Sequence, residues 1–565
     1  MARYQKQVAV TILMLTFSIV FVRNTRSDFP LIFEKNLHAH DESSNSVVAA
    51  NITRKFFPPM VRVNPFVEEQ GNWMEGPYWQ HIPPMFAYVP YIFFEIDGQV
   101  TIEVKRLAFA FVTLLTGLLF IFVVYNYKKS LLAAGAATIS AILWVNTPFT
   151  HELITGYAFG VSDIVLAFTV VASFGAILWY LKNRKSVSSY QLIVISLVVA
   201  LPIMAKNLLG AIPVATLLIL LSRDKQSYRK LLIAGGSLVA ALVVYYLPLF
   251  LVSPEAFKNG LLVTFSHFNQ LEGWERPWHW HFTNYLPQRY LFGWTWIFFV
   301  GLAVAAVSWY RTRRTTLTLA GGWFLWNLIA ISLVTSKVPN FIYQSYLLSW
   351  YFIVYGLFLT ISTGAKRSGE IALQSLKERF LRHTTVGMVT VGVLILAILA
   401  VGYESVRFTQ QFNEYRAQAY NYDSENEKFY QAAEQFQRMG LNQSDLVIVR
   451  VSDNDCWFRY PILFLTGAES KTLLEIYFHT VKYESILHKY KRMYFVFNQQ
   501  EGLPKVGEYS YIDFDLNKLS ADEVNQVIQA FIDIHKQALE QDILRIKKDK
   551  TSCQWLVPDH ILNAP

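Results

Sequence analysis

Two adjacent carboxylates, Asp41 and Glu42, sit in a polar interval from Asn36 to Arg106 that is caught between two apolar runs. Adjacent carboxylates in a loop are ordinarily just solvated. At the rim of a bilayer, a carboxylate is placed to take a proton from an acceptor hydroxyl, or to bind a divalent cation that offsets phosphate charge. The same interval carries Tyr78-Trp79-Gln80-His81-Ile82-Pro83-Pro84. Asp163 follows Gly160-Val161-Ser162 at the start of an apolar run, where an ionisable group against lipid costs on the order of a few kcal/mol. It must therefore face protein or water, as a functional group or as an interfacial helix cap. Lys206, followed by Asn207 and Gly210, lies between two runs, where a cation either meets a lipid phosphate or simply snorkels. Ser336-Lys337-Val338-Pro339 closes another run with a proline that stops the helix. The segment holding His267, Trp274, Arg276, Trp278, His279, Trp280 and His281 mixes aromatics, His and Arg. An interfacial aromatic belt explains its tryptophans better than its histidines. His81 and His267 are candidate ligands of a divalent ion, although two imidazoles alone do not define a site.

The elements that must position these residues are membrane spans. The chain has 565 residues, 53% of them hydrophobic and 16% aromatic, too apolar for one soluble protein of this size. Its formal charge of +9 lies in short clusters between apolar runs, which orient helices, so nucleic acid is excluded as a partner. The run Val8 to Val22 follows Arg3 and Lys6 without a small-x-small cleavage site and reads as a retained first helix. Further spans are expected at Leu107–Tyr125, Leu131–Val145, Ala158–Leu181, Leu192–Ala205, Leu208–Leu221, Leu231–Leu251, Tyr290–Tyr310, Leu317–Val334, Phe341–Leu359 and Val386–Val401. That makes about eleven, several shorter than the ~20 residues of a perpendicular span. With a cytoplasmic N-terminus, every cytoplasmic connection is basic: Lys128-Lys129, Lys182 to Lys185, Arg223 to Lys230, Arg311 to Arg314 and Lys366 to Arg382. This parity puts residues 24–106, Lys206, the His- and Trp-rich segment and everything after Gly402 on the extracytoplasmic side.

After a membrane domain of residues 1–402, residues 403–565 change character. Short β-rich runs, Leu446 to Val451 and Met493 to Phe497, alternate with helical patterns such as Ala521 to Gln541, which predicts a small soluble α/β domain. Cys456 and Cys553, the two cysteines, either form one bridge there or remain buried thiols.

Taken in order, Asp41-Glu42, Trp79 to Pro84, Asp163, Lys206-Asn207, His267-Phe268-Asn269 with Tyr285-Leu286-Pro287, and Ser336-Lys337-Val338-Pro339 resemble the motifs of a known family. It is the GT-C glycosyltransferases, specifically the protein O-mannosyltransferase and lipid A aminoarabinose transferase superfamily, and the resemblance covers roughly residues 1–360. In two places the chain departs from it. His81 and Ile82 stand where members carry an acidic residue and Lys before Pro-Pro, and Gln270 stands where a basic residue is expected.

The resemblance implies an α-helical polytopic membrane enzyme with a C-terminal extracytoplasmic α/β domain, in a bacterial inner membrane. It would move a hexose or pentose from a polyprenyl-phosphate donor to a hydroxyl or phosphate of a lipid, glycan or protein acceptor, with inversion. Asp41 would be the general base, with Glu42 or Asp163 positioning the acceptor, while Lys206, Arg276 and Lys337 stabilise the leaving phosphate. A divalent ion at His81 and His267 is a possible addition and no other cofactor is implied. A nucleotide-sugar donor is disfavoured because no Gly-rich phosphate loop is present. The alternative is a transporter or flippase of lipid-linked glycans, which would place polar sites at mid-membrane and show repeated halves.

Overall fold

The computed structural model describes residues 2–35, 40–54, 85–156, 162–223, 228–252, 254, 257–258, 261–262, 276–291, 295–335, 337–371, 424–451, 458–478 and 489–549. Among them, eight helices are long and apolar enough to cross a membrane. They are α1 (Ala2–Thr25), α5 (Ile102–Lys128), α8 (Ser162–Asn183), α9 (Ser189–Lys206), α11 (Tyr228–Val252), α12 (Thr295–Thr312), α13 (Thr315–Leu333) and α14 (Tyr343–Ile371). Helices α6 (Leu131–Val145) and α7 (Pro148–Thr155) are together long and apolar enough as well, but meet at a 63° bend. Helix α10 (Ala211–Ser222) has 12 residues, roughly 18 Å at 1.5 Å each, too short to cross alone. Helices lie at the expected spans, except that the one at Leu208–Leu221 is too short to span by itself and Val386–Val401 lies outside the described residues.

Three shorter helices, α2 (Phe29–Ile32), α3 (His40–Thr53) and α4 (Met85–Asp97), precede α5. The polar interval is thus helical at both ends. An 11-residue π-helix, His281–Leu291, precedes α12. Because successive spans alternate in direction, the C-terminal ends of α1, α6, α9 and α13 share one face with the N-terminal ends of α5, α8 and α14.

Lipid supplies no hydrophobic drive between helices, so small residues that permit close approach decide the packing. At the α12–α14 crossing, a Cβ on Gly356 would lie 2.7 Å from that of Ala305, and one on Gly301 would lie 2.7 Å from Ile353.

The C-terminal region is an α/β unit around a five-stranded sheet in the order β2-β1-β3-β5-β4. Strand β1 (Asp445–Arg450) runs parallel to β2 (Glu469–Thr472) and β3 (Arg492–Asn498), while β5 (Tyr509–Asp515) is antiparallel to β3 and to β4 (Lys505–Val506). The period of two splits β1 between two cores. Leu446 and Ile448 join Val524, Ile528 and Phe531 of α18 (Ala521–Asp549) on one face. Val447 and Val449 face the other way, into a core with α15 (Ser424–Arg438) and α16 (Arg459–Thr466) that is continuous with the membrane bundle. One further short helix, α17 (Leu473–Phe478), follows β2.

Both cysteines and the 402/403 division expected from the sequence lie outside the described residues.

Candidate active site

Asp163 occupies the first turn of α8 and is fully buried. The exposed amides and dipole of a helix N-terminus favour an anion there. Lys206, the last residue of α9, places Nζ 2.7 and 2.6 Å from the two carboxylate oxygens. Its cation complements the negative end of its own helix. Asn340, in the single 3₁₀ turn before α14, donates Nδ2 to Asp163 Oδ2 at 2.9 Å. Residues 43 and 177 positions away in the sequence therefore converge on one carboxylate. The Lys206 side chain is 11% exposed and Asp163 not at all, so the ammonium stands at the mouth of the pair. It is a buried carboxylate paired with an ammonium at its mouth. Asn340 Oδ1, also buried, has no hydrogen-bond partner among the described residues.

Lys337 is buried just beyond α13, where it donates to the carbonyls of Ile331 (3.1 Å), Ser332 (3.0 Å) and Val334. Its three protons thereby serve the exposed carbonyls of that helix end. His281, at the start of the π-helix, is fully buried, and neither ring nitrogen has a hydrogen-bond partner among the described residues. Burial first, and the charge of Lys337 second, push this imidazole down to about 3. Arg276 is exposed, with its guanidinium 5.5 Å from the Trp280 ring centroid.

A second polar cluster surrounds α7. Thr147 caps this helix by accepting from the Thr150 amide at 3.2 Å, Pro148 fills its first position, and Gly156 closes it at φ +83°. The 63° break turns α7 back beneath the shared face, where His151 Nδ1 bonds Asp28 and Glu152 is also buried. Asn146 at the break bonds Asn24 at the end of α1. Phe149 packs on Tyr290 and Tyr343, at 5.2 and 5.6 Å between ring centroids, so aromatics floor the cluster. Asp28, His151 and Glu152 are not among the candidate residues that the sequence singles out. Pro148 interrupting an apolar run, with His151-Glu152 three residues on, is the available signal.

Asp41 and Glu42 lie in the first turn of α3 rather than in a loop, and their side chains lie outside the described residues, as do His81 and His267. Lys105 of α5 bonds Ser46 of α3 at 2.7 Å, fixing α3 against the bundle. Arg106 donates to the carbonyls of Leu31 (2.7 Å) and Glu34 (2.9 Å). Among the described residues, no three His, Cys, Asp or Glu side chains converge as a metal ion would need.

Residues 81–249 match the family model described as dolichyl-phosphate-mannose-protein mannosyltransferase. Compared with curated proteins, the chain has no match. Among solved structures, ArnT from Cupriavidus metallidurans in the apo state aligns over 89% of this chain and 97% of that one, at 16% identity and a TM-score of 0.54. The same protein bound to undecaprenyl phosphate aligns with the same coverage, at 14% identity and a TM-score of 0.57. The archaeal oligosaccharyltransferase AglB from Archaeoglobus fulgidus, in complex with an inhibitory peptide and a dolichol-phosphate, covers 88% of this chain and 70% of its own, at 14% identity and a TM-score of 0.48. Over nearly the whole of both chains, this protein therefore has the fold of ArnT.

Proposed function

We propose that the chain is an integral membrane glycosyltransferase that takes a sugar from a polyprenyl-phosphate donor. The observation that carries this is the buried Asp163–Lys206–Asn340 group, set where span ends gather on a single face, in a fold shared with a protein solved with undecaprenyl phosphate bound. A carboxylate and an outward cation at a membrane face suit a lipid that keeps its tail in the bilayer and its phosphate at the surface.

In the reaction, an acceptor hydroxyl attacks the anomeric carbon as the bond from that carbon to the phosphate oxygen breaks. The electron pair leaves with polyprenyl phosphate, Asp41 takes the hydroxyl proton, and the anomeric configuration inverts. Lys206 uses two of its protons on Asp163 and has a third for the departing phosphate. Arg276 adds a second cation from the rim, and Lys337 a third by exchanging one of its carbonyl bonds. Glu42 orients the acceptor, which is a lipid, glycan or protein on the extracytoplasmic side. Basic connections at the opposite ends of the spans support that orientation.

The test uses purified chain in lipid and a panel of radiolabelled polyprenyl-phosphate sugars. Release of polyprenyl phosphate should require an added acceptor and fall at least 100-fold in Asp41→Asn, within the usual range for losing a general base of about 10²–10⁴. Labelled lipid that crosses the bilayer with its sugar intact, equally in both proteins, would replace the transferase with a flippase.

A further inference from the structure

At the span ends opposite Asp163, two short connections place cations side by side. Helix α5 ends in Lys128 and turns through Lys129 and Ser130 into α6, while Arg313 and Arg314 join α12 to α13. Lys129 at φ +52° and Arg313 at φ +46° are, among the described residues, the two non-glycine residues in the left-handed region, which favours glycine. Each tight turn therefore accepts backbone strain and keeps a long cation where glycine would be easier. Helix α14 holds the two turns together. Tyr351 meets Phe120 of α5 edge-on at 5.3 Å and stacks on Tyr355 at 5.4 Å, and the Arg314 charge acts on both the Tyr355 phenol and the Lys128 ammonium.

Like charges brought together repel one another unless an anion joins them. No acid occurs in Asn126 to Leu131 or in Arg311 to Thr316, and neither Lys128 nor Arg314 meets a carboxylate of the described residues. Lys129 bonds the side-chain oxygen of Asn126, and Arg313 lies 4.8 Å from the ring centroids of both Trp309 and Tyr310, so these two stay at the rim. An ammonium and a guanidinium fork are left together, the pair that suits a phosphate. Beside them the outer face of α12 is exposed and apolar. Val300, Ala303, Val307 and Tyr310 recur at helical spacing, one stripe that ends at Arg313. A soluble anion would use the cations alone. A phospholipid uses the cations with its phosphate and the stripe with its acyl chains.

We infer that Lys128 and Arg314 bind the phosphate of an anionic phospholipid, with its acyl chains along the exposed stripe of α12. Nothing in this depends on the transferase chemistry, because the pair lies at the other end of the spans from Asp163.

The experiment is native mass spectrometry of the delipidated full chain in neutral detergent, with the melting temperature followed in parallel. The titrants are dioleoylphosphatidylglycerol, dioleoylphosphatidylcholine and glycerol 3-phosphate. Phosphatidylglycerol should bind roughly 10-fold or more tightly than either of the others. Lys128→Gln with Arg314→Gln should weaken it roughly 25-fold, at about a factor of five per cation. Arg184→Gln with Lys185→Gln, on another basic connection, should leave it within about 2-fold. Without lipid, Lys128→Gln alone should melt no lower than the unsubstituted chain, since it removes a repulsion. Equal weakening by the two double substitutions would reduce the effect to general surface charge and overturn the inference. So would equal binding of phosphatidylcholine or of glycerol 3-phosphate. A lower melting temperature for lipid-free Lys128→Gln would mean that the ammonium is held by the protein itself, and would overturn it too.

Discussion

At the scale of single residues, the Asp163–Lys206 pair is governed by the cost of isolating a charge away from water. Removing one partner of a buried pair costs about 3–5 kcal/mol, whereas removing both can be nearly neutral. Lys206→Met should therefore lower the unfolding midpoint in detergent sharply, and Asp163→Asn with Lys206→Met should recover most of the loss. Additive losses would mean that the two groups do not hold one another. Both residues stood out in the sequence as ionisable groups at span ends, but their contact did not, and nor did Asn340, because residues so far apart leave no local pattern. His281 gives a second residue-scale test. The unfolded imidazole titrates near 6.5 and the folded one near 3, so between those values the unfolded chain binds a proton that the fold refuses. Stability is then lost as pH falls through this window, by about 1.4 kcal/mol per unit. Going from pH 7 to pH 5 should cost the unsubstituted chain about 2 kcal/mol more than His281→Phe, read by chemical denaturation at each pH. Parallel pH dependences would show the ring protonated in the fold.

At the scale of elements, the join between bundle and α/β unit is made by helix ends. Arg54, just past α3, donates to the carbonyls of Leu463 (2.9 Å) and Phe464 in the last turn of α16, where carbonyls are exposed and the helix end is negative. Gly467 closes α16 at φ +75°, and a Cβ there would lie 2.9 Å from Arg54 Cδ. Gly467→Ala adds left-handed strain, about 1–2 kcal/mol, to that displacement. It should speed hydrogen exchange in both α16 and α3, and Arg54→Leu should do the same without the strain. Faster exchange confined to α16 would mean that α3 is held by other contacts. The spans were legible because bilayer thickness forces a length and a hydrophobicity that a sequence cannot conceal. Helix α7 and the π-helix were not, since a short buried helix need satisfy neither demand. Strands β1 and β3 were legible from β-branched and aromatic runs, but their pairing partners and order were not.

For the whole molecule, orientation is the property on which the chemistry depends. Asp163, Lys206, Lys337 and His281 all stand at one set of span ends, and the same face carries the α/β unit, through Arg54, the Tyr430 hydroxyl on the Ile102 amide (3.4 Å) and Lys35 on Glu434 (2.7 Å). The opposite span ends carry Lys128, Lys129, Lys182, Arg184, Lys185, Arg311, Arg313 and Arg314. Short basic connections are retained in the cytoplasm, and on that ground the proposed orientation puts the polar face outside. This follows from counting charges along the sequence, and the folded arrangement adds that site and soluble unit cannot be on different sides. The check is a membrane-impermeant maleimide on intact bacterial cells, with Cys456 and Cys553 replaced by Ser. Lys505→Cys, exposed on β4, should label directly, and Lys185→Cys, exposed beyond α8, only after permeabilisation. The reverse pattern would put the site in the cytoplasm, where nucleotide sugars are available and a polyprenyl-phosphate donor loses its rationale.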